Sequence, residues 1–596
     1  MRPTLFKKEN YVSYNKDTNK STCLLCHREL CGLIIGNIKR HYETMHNIKF
    51  TRDYLPTAKV HINTLTRSKD DQILRLSKNR FVKCCVGLIT VKNLPLKIFD
   101  DEQYFRKIIE PYQEEYSLQL NSKNILDGLD FWALRVKSHM QGKFHKKLLS
   151  LKVDVVGSGS QAKSVMGIHI QYVENYKLVS HSIGAVQLKK RQYRNHRFMK
   201  EAILISLKEY GIDMRQLYAL TCDGRGKTLK ALQLIQQDLE ELCNENINDM
   251  EDSSDVDMAF KPFVSVVYSG CYIIELAARL FFTTIECDLN ECRSVIQEIR
   301  QQDINHIFLP SLDNNGRWQS TFDMMASLKD FIENGEIDTD YRGKMDWLES
   351  FMDTHKPLTE WLQHQHEAQY IVGDFYRDWL VCEAKLKQMS DNEYAMHLLE
   401  AVLEVKQSLL DNEAFNAALY FDPRFNHLDS PYFSEERRKQ AVDHIMRIQS
   451  LMKTMELDTR LESDDYDAQN NAKLIGRCED PYNILEAEIP QIARNSTAAE
   501  IRVDIRQKLE AIALGPRLPY SANILEYWQQ MQIKDPEIHV LMKVVLSVCI
   551  SQTSVERTRS ALATILTKEK SRLPKSVLNN MLLVKLNADF LEEVEA

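Results

Sequence analysis

The strongest constraint on how this chain can fold is a short set of metal-ligating side chains near its N-terminus. Cys23 and Cys26 are separated by two residues; His41 follows fourteen residues later, and four residues separate it from His46. Two thiolates and two imidazoles are the ligands that zinc binds tetrahedrally in closed structural sites. A Cys pair on a turn followed by a His pair on a helix builds such a site. We therefore expect a zinc finger within residues 1–50.

Nearby residues leave some details of this finger open. His27 and Cys31 lie in the same span and could replace one of the four ligands. Gly32 and Gly36 precede the stretch NIKRHYETMH, which we predict to be the helix of the finger, and would supply flexibility before it. A chance grouping of two cysteines and two histidines is the competing interpretation of the pattern.

The charge of the N-terminal part suggests what the finger binds. Residues 1–80 contain sixteen Lys and Arg against seven Asp and Glu, whereas the whole chain has a net charge of −7. A basic segment in front of an acidic body is typical of a phosphate-binding module. Asn37, Lys39 and Arg40 lie on the predicted helix and are the first candidates for DNA contacts. A solvated basic face on a protein-binding finger is the alternative.

Length and composition indicate an intracellular protein with several domains. A chain of 596 residues is too long for one compact core. It contains no apolar run long enough for a transmembrane helix, and its N-terminus lacks the apolar segment of a secretory signal. Thirteen cysteines without a dense framework fit reduced thiols in the cytosol or nucleus.

The apolar periodicity predicts an α+β, mostly helical fold. After the finger, we expect a basic linker over residues 51–80 and a helical region over 81–148. At 149 the period changes, and residues 149–270 alternate strands with helices in the manner of a ribonuclease H-like α/β core. Residues 271–515 read as a large all-α insertion. Residues 516–596, including the apolar run VLMKVVLSVCI, read as a helical segment that completes the core and dimerises.

Three acidic residues are candidates for metal-dependent chemistry. Asp154 and Asp223 stand at the ends of predicted apolar strands, where a charge must be compensated, and Glu556 begins a C-terminal helix. Their carboxylates could hold the two Mg²⁺ ions of a phosphoryl-transfer site. Ordinary strand-end acids and a helix-start glutamate give the same pattern, so the spacing alone leaves both interpretations open.

The order of several segments resembles the hAT superfamily of transposases and their host-adopted descendants, which carry a BED-type zinc finger at the front. The segments are NIKRHYETMH, KNLPLKIFDDEQYFRKIIEPY, GRWQSTFDMM, FDPRF, LEYWQQM, SQTSVERTRSAL and RLPKSVLNNMLLVKLN, and together they extend over almost the whole chain. The resemblance implies that Asp154, Asp223 and Glu556 occupy the three catalytic acid positions, and that Trp318 is the tryptophan of the family's Arg-Trp-x-Ser-Thr motif.

The chain departs from the family pattern around these acids. Val156 stands where the family usually has tryptophan, and Ile274 replaces the histidine of its Cys-x-x-His segment. Arg225 and Lys227 follow Asp223 closely and could pair with its carboxylate. We therefore predict a catalytically inactive, nuclear DNA-binding regulator of transcription or chromatin in which the acids are relics, with structural zinc and with Mg²⁺ only if activity survives.

The expected partners follow from the finger and from the C-terminal segment. That segment offers more apolar helix surface than one small tail needs. Ten residues provide it: Leu541, Val544, Val545, Val548, Ile550, Met581, Leu582, Leu583, Val584 and Leu586. Part of this surface must pack in the core, and a remaining stripe would suit a second copy. We expect DNA, a homodimer or higher oligomer, and chromatin or transcription proteins as partners, but no membrane. An active hAT-type transposase or nuclease using two Mg²⁺ ions and a zinc-finger protein-interaction scaffold remain as alternatives.

Overall fold

A computed structural model gives the structure of the chain in two compact units, residues 1–75 and residues 76–596. The structure describes residues 12–15, 18, 20–31, 34–46, 76–101, 103–158, 163–224, 226–248, 264–302, 309–314, 318–333, 347–455, 504–531, 535–551, 553–565 and 573–593. Most of these residues are helical, and none of the helices they form is long and apolar enough to cross a membrane.

The first unit contains a small antiparallel sheet and one helix. Its strands are β1 (Val12–Asn15), β2 (Lys20–Cys23) and β3 (Glu29–Cys31), in the order β1-β2-β3, followed by α1 (Ile35–Met45). These strands were not predicted from the sequence. Gly36 was predicted to precede the helix but lies in its first turn, where a side chain would meet no other atom within 4 Å. Gly32 lies outside the described residues.

The second unit begins with a helical region, as predicted. Ser77 caps α2 by accepting a hydrogen bond from the backbone N–H of Arg80. This helix starts within the predicted linker, of which residues 51–75 lie outside the described part. The elements of the region are α2 (Lys78–Thr90), a 3₁₀ turn (Leu96–Asp100), α3 (Phe105–Tyr116) and α4 (Ile125–Phe144).

A mixed five-stranded sheet follows the helical region. Its strands are β4 (Leu149–Ser158), β5 (Lys163–Glu174), β6 (Lys177–Leu188), β7 (Leu217–Cys222) and β8 (Ser265–Tyr268). Their order is β6-β5-β4-β7-β8; β4, β5 and β6 are antiparallel, and β7 is parallel to both β4 and β8. The helices within this stretch are α5 (Lys190–Tyr193), α6 (His196–Glu209) and α7 (Gly226–Asn248).

Helices dominate the rest of the unit, as the sequence predicts. The next eight are α8 (Gly270–Thr284), α9 (Glu286–Gln302), α10 (Trp318–Glu333), α11 (Leu348–His364), α12 (Val372–Gln388), α13 (Glu393–Leu410), α14 (Glu413–Tyr420) and α15 (Glu435–Thr454). The last six are α16 (Ile505–Ile512), α17 (Ile524–Gln530), α18 (Pro536–Val545), α19 (Thr553–Ile565), α20 (Lys575–Leu586) and α21 (Ala588–Glu593). Buried apolar side chains of these helices form one large cluster, and a second lies between the sheet and helices α2, α4, α6 and α7.

One expectation for the C-terminal region was wrong. The run VLMKVVLSVCI was predicted to be helical throughout, but α18 ends at Val545 and residues 548–550 are not helical. The backbone there bonds to the sheet region instead: Gln171 Nε2 donates to the Ser547 carbonyl over 3.0 Å, and the Gly270 N–H donates to the Ile550 carbonyl over 3.0 Å. These outside donors satisfy the buried carbonyl groups that a continuing helix would have paired.

Candidate metal centre and acidic edge of the sheet

The four cysteine and histidine residues singled out in the sequence converge in the first unit. One potential ligand atom from each of Cys23, Cys26, His41 and His46 lies within 4.8 Å of all the others. Cys23 Sγ is 3.3 Å from His46 Nε2, and Cys26 Sγ is 3.2 Å from His41 Nε2. Tetrahedral zinc with bonds of about 2.0–2.3 Å places neighbouring ligand atoms about 3.3–3.8 Å apart. The cluster therefore has the ligand types of a zinc site, and two of its ligand pairs lie close to the spacing that zinc requires.

A tight turn between β2 and β3 positions the two cysteines. Cys23 is the last residue of β2. Its backbone N–H donates to the Arg28 carbonyl over 2.9 Å, and its carbonyl accepts a hydrogen bond from the His27 N–H over 3.0 Å. His27 takes a left-handed conformation with φ 57° and does not join the cluster. The side chain of Cys31 lies outside the described part of the structure. His27, one of the two alternative ligands that the sequence left open, is therefore not part of the metal cluster.

The end of α1 explains how two histidines five positions apart reach one ion. On a continuous helix, such residues point about 140° apart. His46 is instead the C-cap of α1, with φ −121°, and its N–H donates to the Tyr42 carbonyl over 3.1 Å. Because the helix stops at Met45, the His46 ring can turn back toward His41, leaving the ring centroids 5.1 Å apart.

Tyr42 supports this centre from inside the small core. Burial raises the pKa of the Cys23 thiol, but hydrogen bonds from the Tyr42 hydroxyl and from the backbone N–H groups of Cys26 and Leu25 outweigh it and lower the pKa to about 5. The thiolate is the form that binds metal. Tyr42 also packs with Val12, Ile38 and Cys23, so it connects the metal-ligating Cys23 to the small apolar core.

The predicted DNA-contacting residues lie on the helix that carries His41. Ile38 and Tyr42 are buried against the sheet, whereas Arg40 is exposed and Asn37 and Lys39 are half-buried. Asn37 and Arg40 are three positions apart, so they share one side of the helix. These three polar side chains are therefore less buried than Ile38 and Tyr42 of the same helix.

A second group of interest lies where β4 and β7, neighbouring strands inside the large sheet, run in parallel. Val153 pairs with Cys222, the last residue of β7, so Asp154 and Asp223 follow at neighbouring positions of the two chain segments. Asp154 was predicted to end its strand, but β4 continues to Ser158 and Asp154 pairs there with Gly167 of β5. Burial, together with the charges of Asp223 and Asp154, raises the pKa of the Cys222 thiol to about 12. The chain turns sharply after Asp223 at Gly224, which has φ +67° and lies directly against the Tyr272 ring.

Lys152, which was not predicted as a site residue from the sequence, occupies the space beside Asp154. Its Nζ lies 3.5 Å from Asp154 Oδ2, and the two side chains are 2% and 4% exposed. The same ammonium donates a hydrogen bond to the Ser551 carbonyl. The signal was present in the sequence, because residues two apart on a strand share a face.

Lys152 belongs to a polar seam that we define as Ser150 and Lys152 of β4 and His169 and Gln171 of β5. Every member bonds to residues 547–558: Ser150 Oγ lies 2.9 Å from Ser547 Oγ, and His169 Nε2 lies 3.2 Å from Thr558 Oγ1. Burial, with the charges of Lys152 and Arg557, lowers the pKa of His169 to about 3. The seam fixes the C-terminal segment against the face of the sheet that carries Asp154.

The remaining predicted acid and its neighbours are only partly described. Glu556 belongs to α19, but its side chain lies outside the described part, as does Arg225. Lys227 is exposed at the start of α7. Ile274, which stands at the position of the family's histidine, is fully buried in the large apolar cluster of the helices.

Comparison with known proteins gives one family relationship. Residues 508–588 match the model of the hAT family C-terminal dimerisation region. This match supports membership of the hAT family and the formation of a homodimer or oligomer. No curated protein matches the chain. The matched region extends from within α16 to the first residue of α21, and so includes the whole segment that bonds to the polar seam.

Proposed function

We propose that this protein is a nuclear DNA-binding regulator of transcription or chromatin, derived from a hAT transposase, that no longer cleaves DNA. The observation that carries the proposal is the Cys23, Cys26, His41 and His46 cluster beside a helix with exposed polar side chains. Zinc held by these residues would stabilise the finger, because metal binding and folding are coupled in such small units. Asn37, Lys39 and Arg40 would then contact DNA bases or phosphates. The chromatin or transcription proteins expected as partners are part of this proposal.

The strand order of the large sheet supports a ribonuclease H-like core. The antiparallel strands β4, β5 and β6 form one side of the sheet. Strands β7 and β8, which run parallel to β4, form the other side. Asp154 of β4 and Asp223, which directly follows β7, lie at neighbouring positions, as the hAT resemblance implies for catalytic acids. The domain limits proposed from the sequence, with a helical insertion over 271–515 and a BED-type finger over 1–50, are compatible with this arrangement.

Loss of catalysis is inferred from Lys152. A divalent cation at Asp154 needs an open carboxylate and several further oxygen ligands, and Mg²⁺ usually keeps some of its own waters. At Asp154, a buried ammonium lies 3.5 Å from the carboxylate, and the site is closed to solvent. The Lys152 ammonium would repel a metal ion bound at the same carboxylate, so holding both cations there costs free energy. The residues present therefore do not fit Mg²⁺, and we derive no reaction through it.

One observation favours a working transposase or nuclease as a second candidate: the side-by-side placement of Asp154 and Asp223. A cleavage and joining assay on supercoiled DNA with Mg²⁺ or Mn²⁺ separates the two functions. Wild-type protein and the Asp223→Ala variant would be compared, with DNA binding followed in the same samples. Binding without cleavage supports the regulator. Cleavage that disappears in the variant would overturn it.

A further inference from the structure

An apolar groove runs along β6, the edge strand of the large sheet, between helices α6 and α20. It consists of two adjoining cavities of about 650 Å³ and about 250 Å³, which share Ala185, Val186, Phe198 and Leu582 in their walls. Since the two cavities share these residues, they form one continuous groove. Its length follows the edge strand from Ser182 to Gln187.

The edge strand is already paired at one end of this groove. The Ser182 N–H donates to Asn587 Oδ1 over 3.1 Å, and Asn587 Nδ2 donates to the Ser182 carbonyl over 2.9 Å. The amide of Asn587 therefore takes the place of a neighbouring strand. An added strand would have to displace this amide, so the groove is better suited to accepting apolar side chains than a β-strand.

The rims of the groove carry exposed apolar side chains. Leu134 of α4 is 66% exposed and Ile205 of α6 is 58% exposed, although both also line the cavity. A surface that presents both a groove and projecting apolar side chains can pair with an identical surface about a two-fold axis, because each side then supplies what the other accepts.

The opposite wall joins the groove to the matched dimerisation region. Leu583 and Leu586 of α20 line the larger cavity and are partly exposed, whereas Met581 and Val584 of the same helix are buried in the core of the unit. Both lining residues fall within residues 508–588, which match the dimerisation region of the hAT family. The groove is thus continuous with the part of the chain to which dimerisation is already attributed.

We propose that this groove is the place where a second copy of the chain docks. Leu134 and Ile205 of one copy insert into the groove of the other, against Leu583 and Leu586, and the reverse contact forms by symmetry. Each rim side chain is buried once in each half of a symmetric interface, so its removal acts twice. Loss of a single rim residue should therefore weaken the dimer by more than about tenfold.

The test is sedimentation of the full-length chain, without DNA, over a range of concentrations. The informative variant is Ile205→Arg, in which the new cation lies four residues from both Glu201 and Glu209 and can pair with them, so α6 is preserved. The matched control is Leu514→Arg. Leu514 is 68% exposed and lies in the matched region but not in the groove.

A wild-type dimer that Ile205→Arg converts to monomer, and that Leu514→Arg leaves intact, supports the proposal. A dimer retained by Ile205→Arg, or lost only in Leu514→Arg, would overturn it. A wild-type chain that stays monomeric at the highest concentration would also overturn it, and would leave the groove to a different partner. Because no DNA is present, these outcomes do not depend on whether the finger binds DNA.

Discussion

Lys152 and Asp154 face the same side of β4, with Nζ 3.5 Å from Oδ2 and both side chains almost completely buried. A buried ion pair of this kind contributes little net stability, but removing one partner leaves an uncompensated charge. In the proposed regulator, the Lys152 ammonium supplies beside Asp154 the positive charge that a metal ion would supply in an open acidic site.

Replacing Lys152 alone should be strongly destabilising. Lys152→Met leaves the Asp154 carboxylate buried without its cation, which typically costs about 3–5 kcal/mol. The double variant Lys152→Met with Asp154→Leu should recover much of that loss, because neither charge remains. Thermal and denaturant unfolding of four proteins, namely the wild type, Lys152→Met, Asp154→Leu and the double variant, would measure the coupling. Additive effects in this cycle would contradict an ion pair.

The finger should hold one zinc ion per chain and lose it when a ligand is removed. Cys26→Ser or His46→Ala should abolish stoichiometric zinc, because three remaining ligands do not close a tetrahedral site. His27→Ala is the matched control, since His27 lies in the same turn but outside the cluster. Metal analysis of purified protein before and after chelation gives the readout. Loss of zinc in the His27 variant, or its retention in the other two, would refute the ligand assignment.

Arg40 should contribute to DNA binding without affecting zinc. It is exposed on α1, and its replacement by Ala removes no part of the small core. We expect a loss of about 1–3 kcal/mol if it reads a base, or a smaller, sequence-independent loss with a salt slope reduced by about one if it contacts a phosphate. Lys20→Ala is the control, because Lys20 lies on β2 and pairs with Glu29 over 2.6 Å. Equal losses in both variants would place the interface elsewhere.

Acid should weaken the packing of the C-terminal helix through His181. Its ring stacks on Phe590 of α21, with ring centroids 4.1 Å apart. Burial, together with the charges of Lys143 and Arg557, lowers the pKa of His181 to about 3. Because the unfolded chain binds the proton more tightly, stability is complete above pH ~6.5 and falls as the pH drops toward 3.

The slope of this loss should be about 1.4 kcal/mol per pH unit for one histidine. His181→Phe keeps an aromatic ring against Phe590 and removes the titration. The difference in melting temperature between the two proteins should therefore change steadily between pH 6.5 and pH 4. A difference that does not vary with pH would rule out this role for His181.

The sequence predicted most of the secondary structure because its signals are local. The alternation in MGIHIQYVENYKLVSHSIGAVQL predicted β5 and β6, and the structure places their turn at Asn175 and Tyr176, where both backbones are left-handed. The four cluster residues were found because metal ligands come in few chemical types at characteristic spacings. The three short strands of the finger were missed, since four residues are too few to show a period.

Other features depend on contacts between distant segments and could not be predicted locally. Residues 548–550 are apolar and look helical, but donors from Gln171 and Gly270, far away in the chain, hold this segment outside a helix. Most of the ten apolar residues of the C-terminal segment are buried in their own unit, which confirms the part assigned to the core. Leu583 and Leu586 are the exceptions, and they line the groove.

Whether a zinc-bound finger binds DNA is decided by the salt-dependent DNA affinity of the full-length chain, with the wild type compared with His46→Ala and His27→Ala. DNA selected from a random pool by the wild-type protein would serve as the probe. We expect tight, salt-dependent binding by the wild type and by His27→Ala, and a loss of that binding in His46→Ala, because counterion release accompanies phosphate contacts made by a folded finger. Equal affinity in all three proteins, or no salt-dependent binding by any of them, would contradict this expectation.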